Sequence, residues 1–306
     1  MWPSRAPLIH TLEDKLKEFS EKARPLPGIV EKAARETLAI QMVASLRRLD
    51  YTTHFLHRDI SPARANPNSI LFDPERAAIL LHRTGDFDEA VWVTFLSTHF
   101  GKHGRYGWRR MRDVYSGLGR KTWTWQRVSS DVLTFRNWLE DNQDKIGGAF
   151  GNHRKYVSLS GLSSKGTGAA IASYVEWIGP DHSHSKRFAR LVKEGGNDPE
   201  AIFDHFYNSM RVKQFGRLGK FDFLALLGRL KLAPIEPGKA YLRGATGPLA
   251  GARLLFGGKN DAALSELKLE GYIAELDQML AIGKQAMEDS LCNWQKSPTK
   301  FVHFKG

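Results

Sequence analysis

Apolar residues recur about every 3.6 positions along most of this chain, the spacing that places them on one face of an α-helix. Between Ile29 and Leu49 they fall at Val30, Ala34, Leu38, Met42, Leu46 and Leu49, which predicts one long, well-buried helix. A helix is also predicted from Thr11 to about Ala23. In GDFDEAVWVTFLSTHF, Asp86 has the position of an N-cap and Glu89 follows three residues on, in capping-box spacing. The apolar run behind them covers most faces, so this segment predicts a core helix. Further helices are predicted near Asp131–Asn142, Gly168–Ile178, His184–Glu194, Pro199–Met210, Phe221–Lys231, Leu264–Leu280 and Lys284–Gln295. Asp198 and Pro199 supply a cap and a first turn for one of them. Residues 59–68, DISPARANPN, combine two prolines with turn formers and predict a loop.

No series of alternating strands, no repeat of fixed period and no low-complexity tract interrupts this pattern, so the predicted fold class is all-α. A chain of 306 residues can bury a substantial core, as one large domain or two closely joined ones. The predicted division is an N-terminal helical extension, residues 1–80, followed by a main helical domain, residues 81–306.

Composition adds compartment and partner. The single cysteine, Cys292, excludes an internal disulfide framework and fits a reducing compartment, hence a cytoplasmic location. The N-terminal residues lack the apolar stretch of a signal peptide, and no window approaches the roughly 20 apolar residues that span a bilayer. Forty-five Lys and Arg against 33 Asp and Glu leave a net charge of +12, which favours a polyanionic partner.

The charge is concentrated. In GKHGRYGWRRMRDVYSGLGRKTWTWQR, eight Lys and Arg face one acid, Asp113, with Tyr106, Trp108, Tyr115, Trp123 and Trp125 among them. Cations that neutralise a phosphate backbone, interleaved with flat rings on which unpaired bases stack, are the ingredients of a nucleic-acid site. The alternative is a solvated face whose tryptophans pack inward. FGNHRKY places His153, Arg154 and Lys155 in a loop-like context, as a ligand contact or a surface turn. GLSSKGTG has the first spacing of a phosphate-binding loop, but Thr167 and Gly168 stand where Lys-Ser/Thr is required, so the nucleotide-triphosphate reading fails. What remains is a turn feeding a helix N-terminus.

QFGRLGKFDFLALLGRL reads as helix, hairpin, helix, with Gly216 and Gly219 around a tight turn and Lys220 after it. Such a turn offers backbone N–H groups and a cation to a DNA phosphate without reading sequence. Past the second helix, where a base-excising glycosylase would place an aspartate, stand Gly238 and Lys239, with Glu236 the nearest acid. That disfavours glycosidic cleavage. In MEDSLCNWQKSPTKF, Glu288, Cys292 and Gln295 occupy neighbouring helical positions beside Asn293, Trp294 and Lys296. His99 and His103 share a helix face only if the helix continues through Gly101, so no metal is assigned.

Taken together, FDEAVWVTFLSTHFGKH, WTWQRVS, FGNHRKY, GRLGKFDFL, APIEPGKAYLRGATGPLAGARLLFGG and LCNWQKSP resemble the alpha-glutamyl/putrescinyl thymine pyrophosphorylase family, clade 3, over roughly residues 85–306. The resemblance implies a helix-hairpin-helix DNA glycosylase-like fold: two closely packed helical subdomains with a cleft between them, residues 81–306 forming the catalytic domain and the hairpin lying near 214–231. It implies hypermodification of thymine in DNA, in which an amine, an amino acid or a polyamine, displaces pyrophosphate from pyrophosphorylated 5-hydroxymethyluracil. No cofactor is implied. The partners are DNA and the amine co-substrate, with no membrane.

For that chemistry the catalytic carboxylate candidates are Glu236, Glu288 and Asp222, the last being equally suited to helix capping. Candidates for binding substrate and pyrophosphate are Lys102, His103, Arg109, His153, Arg154, Lys155, Lys239, Arg243, Asn293 and Lys296. Those for DNA are Gly216, Arg217, Gly219, Lys220, Trp123 and Trp125, the tryptophans stacking on a flipped base. A base-excision enzyme and a non-catalytic DNA-binding module are the alternatives.

Overall fold

The computed structural model describes residues 2–303. Among these residues there are fourteen α-helices and no β-strand: α1 (Ala6–Lys22), α2 (Lys32–His54), α3 (Pro74–Arg83), α4 (Phe87–Phe100), α5 (Arg109–Tyr115), α6 (Trp125–Ser130), α7 (Val132–Asn142), α8 (Thr167–Ile178), α9 (His184–Gly195), α10 (Pro199–Ser209), α11 (Arg217–Arg229), α12 (Gly247–Gly257), α13 (Glu266–Leu280) and α14 (Lys284–Trp294). The fold class is all-α, as the apolar spacing predicts. No helix is long and apolar enough to cross a membrane, among the described residues.

The chain forms two compact units. One draws on both ends of the sequence, through Tyr51 and from Pro237 onward. Its core joins Leu12, Leu16 and Phe19 of α1 to Leu38 and Met42 of α2, Leu255 of α12, Leu276 of α13 and Leu291 of α14. Trp294 is fully buried there, its indole N–H shared between the carbonyls of Ala34 at 3.2 Å and Pro298 at 3.1 Å. Helix α12 is rich in glycine and was not predicted. Its glycines are the reason it packs: a Cβ on Gly251 would lie 2.2 Å from the carbonyl oxygen of Leu291, so only a residue without one lets α12 meet α14 this closely.

The other unit spans Thr52–Glu236. Helix α4 is its axis, buried from Glu89 to Phe100, and α3, α5, α6, α9 and α11 pack around it. Phe95 stacks on Tyr174 at 3.7 Å and on Phe215 at 4.8 Å, and Phe223 meets it edge-on at 5.7 Å. Each of these rings is worth several kcal/mol of stability, so α4, α8 and α11 are held in one arrangement.

Several boundaries move. Asp86 does cap α4, accepting from the Glu89 N–H at 3.2 Å, but Glu89 does not complete a capping box. Its carboxylate turns inward to the Tyr115 hydroxyl and the Trp125 N–H. Helix α11 begins at Arg217, not Phe221, so Gly219 and Lys220 lie in its first turn and the hairpin is the stretch Arg211–Gly216 before it. Phe215 N–H closes that bend on Val212 at 3.2 Å, and Gln214 holds a left-handed backbone with φ 63°.

Candidate functional site

The site grows from the C-terminal end of α4. Gly101 ends the helix with φ 64°, a conformation that favours glycine, and Gly151 lies against it. The Gly151 N–H donates to the Phe100 carbonyl at 2.8 Å. This docks a short helical turn, Asn152–Arg154, over the end of α4. FGNHRKY is therefore seated on the core at Arg154, while His153, Lys155 and Tyr156 stay exposed.

Arg154 itself is buried. Its Nε donates to the Thr98 carbonyl at 2.9 Å and its Nη2 to Asp222 Oδ2 at 3.1 Å. Asp222 lies well inside α11, whose N-cap is Gly216, so the capping reading of this residue is corrected to an ion pair. Burial pushes the Asp222 carboxyl up from its ordinary value, and Arg154, His153, Arg217 and Arg229 pull it back. Four cationic or potentially cationic groups thus surround one carboxylate whose side chain is 37% exposed.

His99 lies behind this pair. Its Nε2 is 3.0 Å from Thr167 Oγ1, whose own proton goes to the Ser158 carbonyl at 3.0 Å. Nε2 must then carry the proton donated to Thr167, which assigns the neutral tautomer. Burial and the adjacent Arg154 charge drive its pKa down to about 3. Helix α4 stops at Phe100, so His99 and His103 do not share a face.

In GLSSKGTG the N–H groups of Gly161, Leu162, Ser163, Lys165, Gly166, Thr167 and Gly168 all have acceptors within the chain. The Glu140 carboxylate accepts from the N–H groups of Gly161 and Leu162 at 2.8 and 3.0 Å and from the Ser160 hydroxyl at 2.7 Å. At the start of α8 the Thr167 and Gly168 N–H groups donate to the Ser158 and Ser160 carbonyls at 2.9 and 3.1 Å, so the helix N-terminus is already engaged within the chain, which corrects the phosphate reading of that turn.

The tryptophans also need correction. Trp123 and Trp125 are 2% and 3% exposed. Trp123 packs edge-on against Phe135 at 5.2 Å with the Arg127 guanidinium 3.5 Å over its ring, and the Trp125 indole N–H donates to the His182 carbonyl at 2.7 Å. Both rings are buried in the core and neither stands on the surface as a platform for a base.

The remaining candidates sort by place. Lys220 is half-buried, its Nζ 3.3 Å from the Tyr207 carbonyl, and its pKa is lowered by burial and by Arg211. Gly219 backs onto the Phe215 ring, where an added Cβ would come within 3.1 Å. Arg217 lies 5.0 Å from the centre of the Phe221 ring. Lys102 is exposed, the His103 Nδ1 accepts from the N–H groups of Arg105 and Tyr106, and Arg109 reaches toward Asp113 at 3.6 Å. Glu236 is exposed and its N–H donates to the Pro199 carbonyl at 3.2 Å.

Lys239, Arg243, Glu288, Asn293 and Lys296 belong to the other unit. There Lys239 and Arg243 are exposed on a loop fixed by Glu270, which accepts from Ala240 and Leu242 N–H. Glu288 is buried, and Asn293 accepts from Lys296 at 3.1 Å.

One cluster went unread in the sequence. A cavity of about 600 Å³ is lined by Asp86, Asp88, Glu89, Tyr115, Trp125 and His182, among others. Burial, with Asp86 and Asp88 nearby, raises the Glu89 pKa to about 7 despite its hydrogen bonds from Tyr115 and Trp125. Asp88 accepts from the backbone N–H of His184 at 2.6 Å and from its Nδ1 at 3.0 Å, and His184 Nε2 meets the Tyr174 hydroxyl at 2.8 Å. Burial lowers the His184 pKa, so the ring is neutral, with Nδ1 donating to Asp88 and Nε2 accepting from Tyr174. The available signal was two adjacent carboxylates, Asp88 and Glu89, opening an otherwise apolar helix, a placement whose desolvation has to be answered. Among the described residues, no group of three or more His, Cys, Asp or Glu is arranged to hold a metal.

Neither the curated proteins nor the solved structures provide a match to this chain. Residues 33–306, a stretch that includes α4, the FGNHRKY turn and α11, do match one family, and the chain belongs to it: the alpha-glutamyl/putrescinyl thymine pyrophosphorylase clade 3 family.

Proposed function

We propose that this protein acts on DNA, replacing the pyrophosphate of a pyrophosphorylated 5-hydroxymethyluracil with an amine. The amine nitrogen attacks the exocyclic methylene, the carbon–oxygen bond to pyrophosphate breaks, and the leaving group departs with that electron pair. The proton released by the new ammonium passes to a carboxylate. Family membership supports the base and the leaving group. The observation that carries the reading at residue level is the Arg154–Asp222 pair, which joins FGNHRKY to the hairpin helix. Cations gathered at that point suit a reaction whose charge grows on a departing polyanion.

Asp222 is the favoured carboxylate, because His153, Arg154, Arg217 and Arg229 all act on it. In this reading Gly216 and Lys220 position a DNA phosphate, the target base is flipped, and the glycosylase-like arrangement supplies the cleft. Exposed Tyr156, next to Lys155, replaces the buried tryptophans as the stacking candidate.

Mass spectrometry of nucleosides tests this. DNA containing 5-hydroxymethyluracil is incubated with its kinase, this protein and a mixture of amino acids and polyamines. A new carbon–nitrogen adduct with released pyrophosphate is expected; an abasic site or unchanged nucleosides would refute the reading. Comparing Asp222→Asn, Glu236→Gln and Glu288→Gln identifies the proton acceptor, and full activity removes a residue from that role.

A further inference from the structure

A second concavity lies at the base of the hairpin, in the Thr52–Glu236 unit. Its volume is about 330 Å³, and it is lined by α8, α9, the last residue of α10 and the start of the hairpin. Helix α8 contributes Glu176 and Trp177, α9 contributes Arg187 and Arg190, and Arg211 comes from the start of the hairpin. Three arginines against one glutamate leave its lining with a formal charge of +2.

Ordinary ion pairing does not account for the arginines. Arg190 reaches Asp181 at 3.8 Å, a carboxylate that also faces Lys186 at 3.6 Å. Among the described residues, Arg187 and Arg211 have no carboxylate within salt-bridge distance. The Arg187 Nε is buried without a hydrogen-bond acceptor. Burial and the neighbouring Arg190 push the Arg187 pKa down, with Glu194 opposing them. The protein therefore gathers three like charges around one hollow and leaves one buried guanidinium nitrogen there without an acceptor, which an anion would supply.

The rest of the lining is already satisfied. The Ser173 hydroxyl accepts from Lys213 N–H at 2.9 Å and donates into its own helix, and the Ser209 hydroxyl accepts from Trp177 at 3.4 Å and donates to Phe206. The donors left over are guanidinium groups. A carboxylate, with two oxygens, occupies one such fork; a phosphate has the charge and the oxygens to engage several.

We infer that this hollow is a phosphate-binding site, formed by Arg187, Arg190 and Arg211 and separate from the Arg154–Asp222 cluster. The separation follows from α8. Thr167, which meets His99, opens that helix, and Trp177 stands ten residues later, roughly 15 Å along the axis at 1.5 Å per residue. The phosphate has two sources, the backbone of a nucleic acid or free pyrophosphate, and both present the same group to the three arginines. The Ser173 bond to Lys213 ties the hollow to the hairpin, so a strand lying on the hairpin would pass its mouth.

The test uses unmodified duplex DNA and inorganic pyrophosphate as probes, so it stands apart from the transfer reaction. Fluorescence anisotropy at several salt concentrations measures DNA affinity, and calorimetry measures pyrophosphate, for the intact protein and for Arg190→Gln, Arg211→Gln and the double variant. Arg190 and Arg211 are exposed, so these proteins are expected to fold, which thermal melts verify. Lys145→Gln, an exposed lysine beyond α7, controls for loss of charge alone. If the site takes backbone phosphate, each arginine change makes the slope of log affinity against log salt shallower by about 0.9 and the control does not. If it takes free pyrophosphate, the double variant weakens that titration at least tenfold and DNA binding is unchanged. No binding of either probe, both probes unaffected by the arginine changes, or an equal effect of the control overturns the inference.

Discussion

Arg154 and Asp222, sixty-eight residues apart in sequence, are joined at 3.1 Å, and the same guanidinium donates to the Thr98 carbonyl at 2.9 Å. One side chain thus ties the end of α4 to the interior of α11. Arg154→Met removes both bonds, leaves the Thr98 carbonyl without this donor and takes from Asp222 its hydrogen-bonded cation, with His153, Arg217 and Arg229 remaining near it. A loss of about 2–3 kcal/mol is expected, kept at that size because the Asp222 side chain is 37% exposed and water screens part of the pair. Urea unfolding of Arg154→Met, Asp222→Asn and the double variant measures it. Coupling of at least about 1 kcal/mol supports a working pair, and simple additivity refutes it.

Glu89 makes stability depend on pH near neutrality. The folded protein holds its proton up to about 7, against 4.5 in the unfolded chain. Its contribution to stability is therefore whole below 4.5 and is lost as the pH rises through 7. Glu89→Gln cannot ionise, so between pH 5 and 8 the unfolding free energy of the natural protein should fall by about 2–3 kcal/mol relative to the variant. His99, displaced in the opposite sense, acts on both proteins alike and drops out of the difference. A pH-independent difference between the two proteins contradicts this assignment.

Lys220→Ala should weaken DNA binding several-fold and reduce its salt slope by about 0.9, because the lysine is proposed to meet one phosphate. The Nζ contact to the Tyr207 carbonyl, at 3.3 Å, is long for a hydrogen bond and is readily exchanged for a stronger acceptor. The nucleoside product should be unchanged. Equal affinity at low salt would remove Lys220 from the DNA contact.

Gly161→Ala should cost about 2–3 kcal/mol, or a melting temperature about 5–10 °C lower. The new Cβ would lie 1.9 Å from the carbonyl oxygen of Arg136, so the turn must leave α7 and the Glu140 carboxylate that holds it. A variant as stable as the natural protein would show that the turn moves without cost.

Much of the molecule was legible from apolar spacing alone. The predicted helices at Asp131, Gly168, His184, Pro199, Leu264 and Lys284 start within two residues of α7, α8, α9, α10, α13 and α14. Helices α3, α5, α6 and α12 were missed for different reasons. Helices α5 and α6 are six or seven residues long, too short for a period to show. Helix α12 is rich in glycine, which local preference reads as loop and which α14 requires as close packing.

The site divides in the same way. Local sequence determined the helical class, the excess of positive charge and the capping aspartates Asp86 and Asp198, because each depends on neighbours along the chain. Tertiary structure decided that Arg154 turns inward to Asp222, that Trp123 and Trp125 face the core, that Glu140 fills the turn at Gly161 and that Glu89 is buried beside a cavity. Those outcomes depend on which surfaces lose water when distant segments meet. Desolvation belongs to the assembled fold, and no window of sequence contains it.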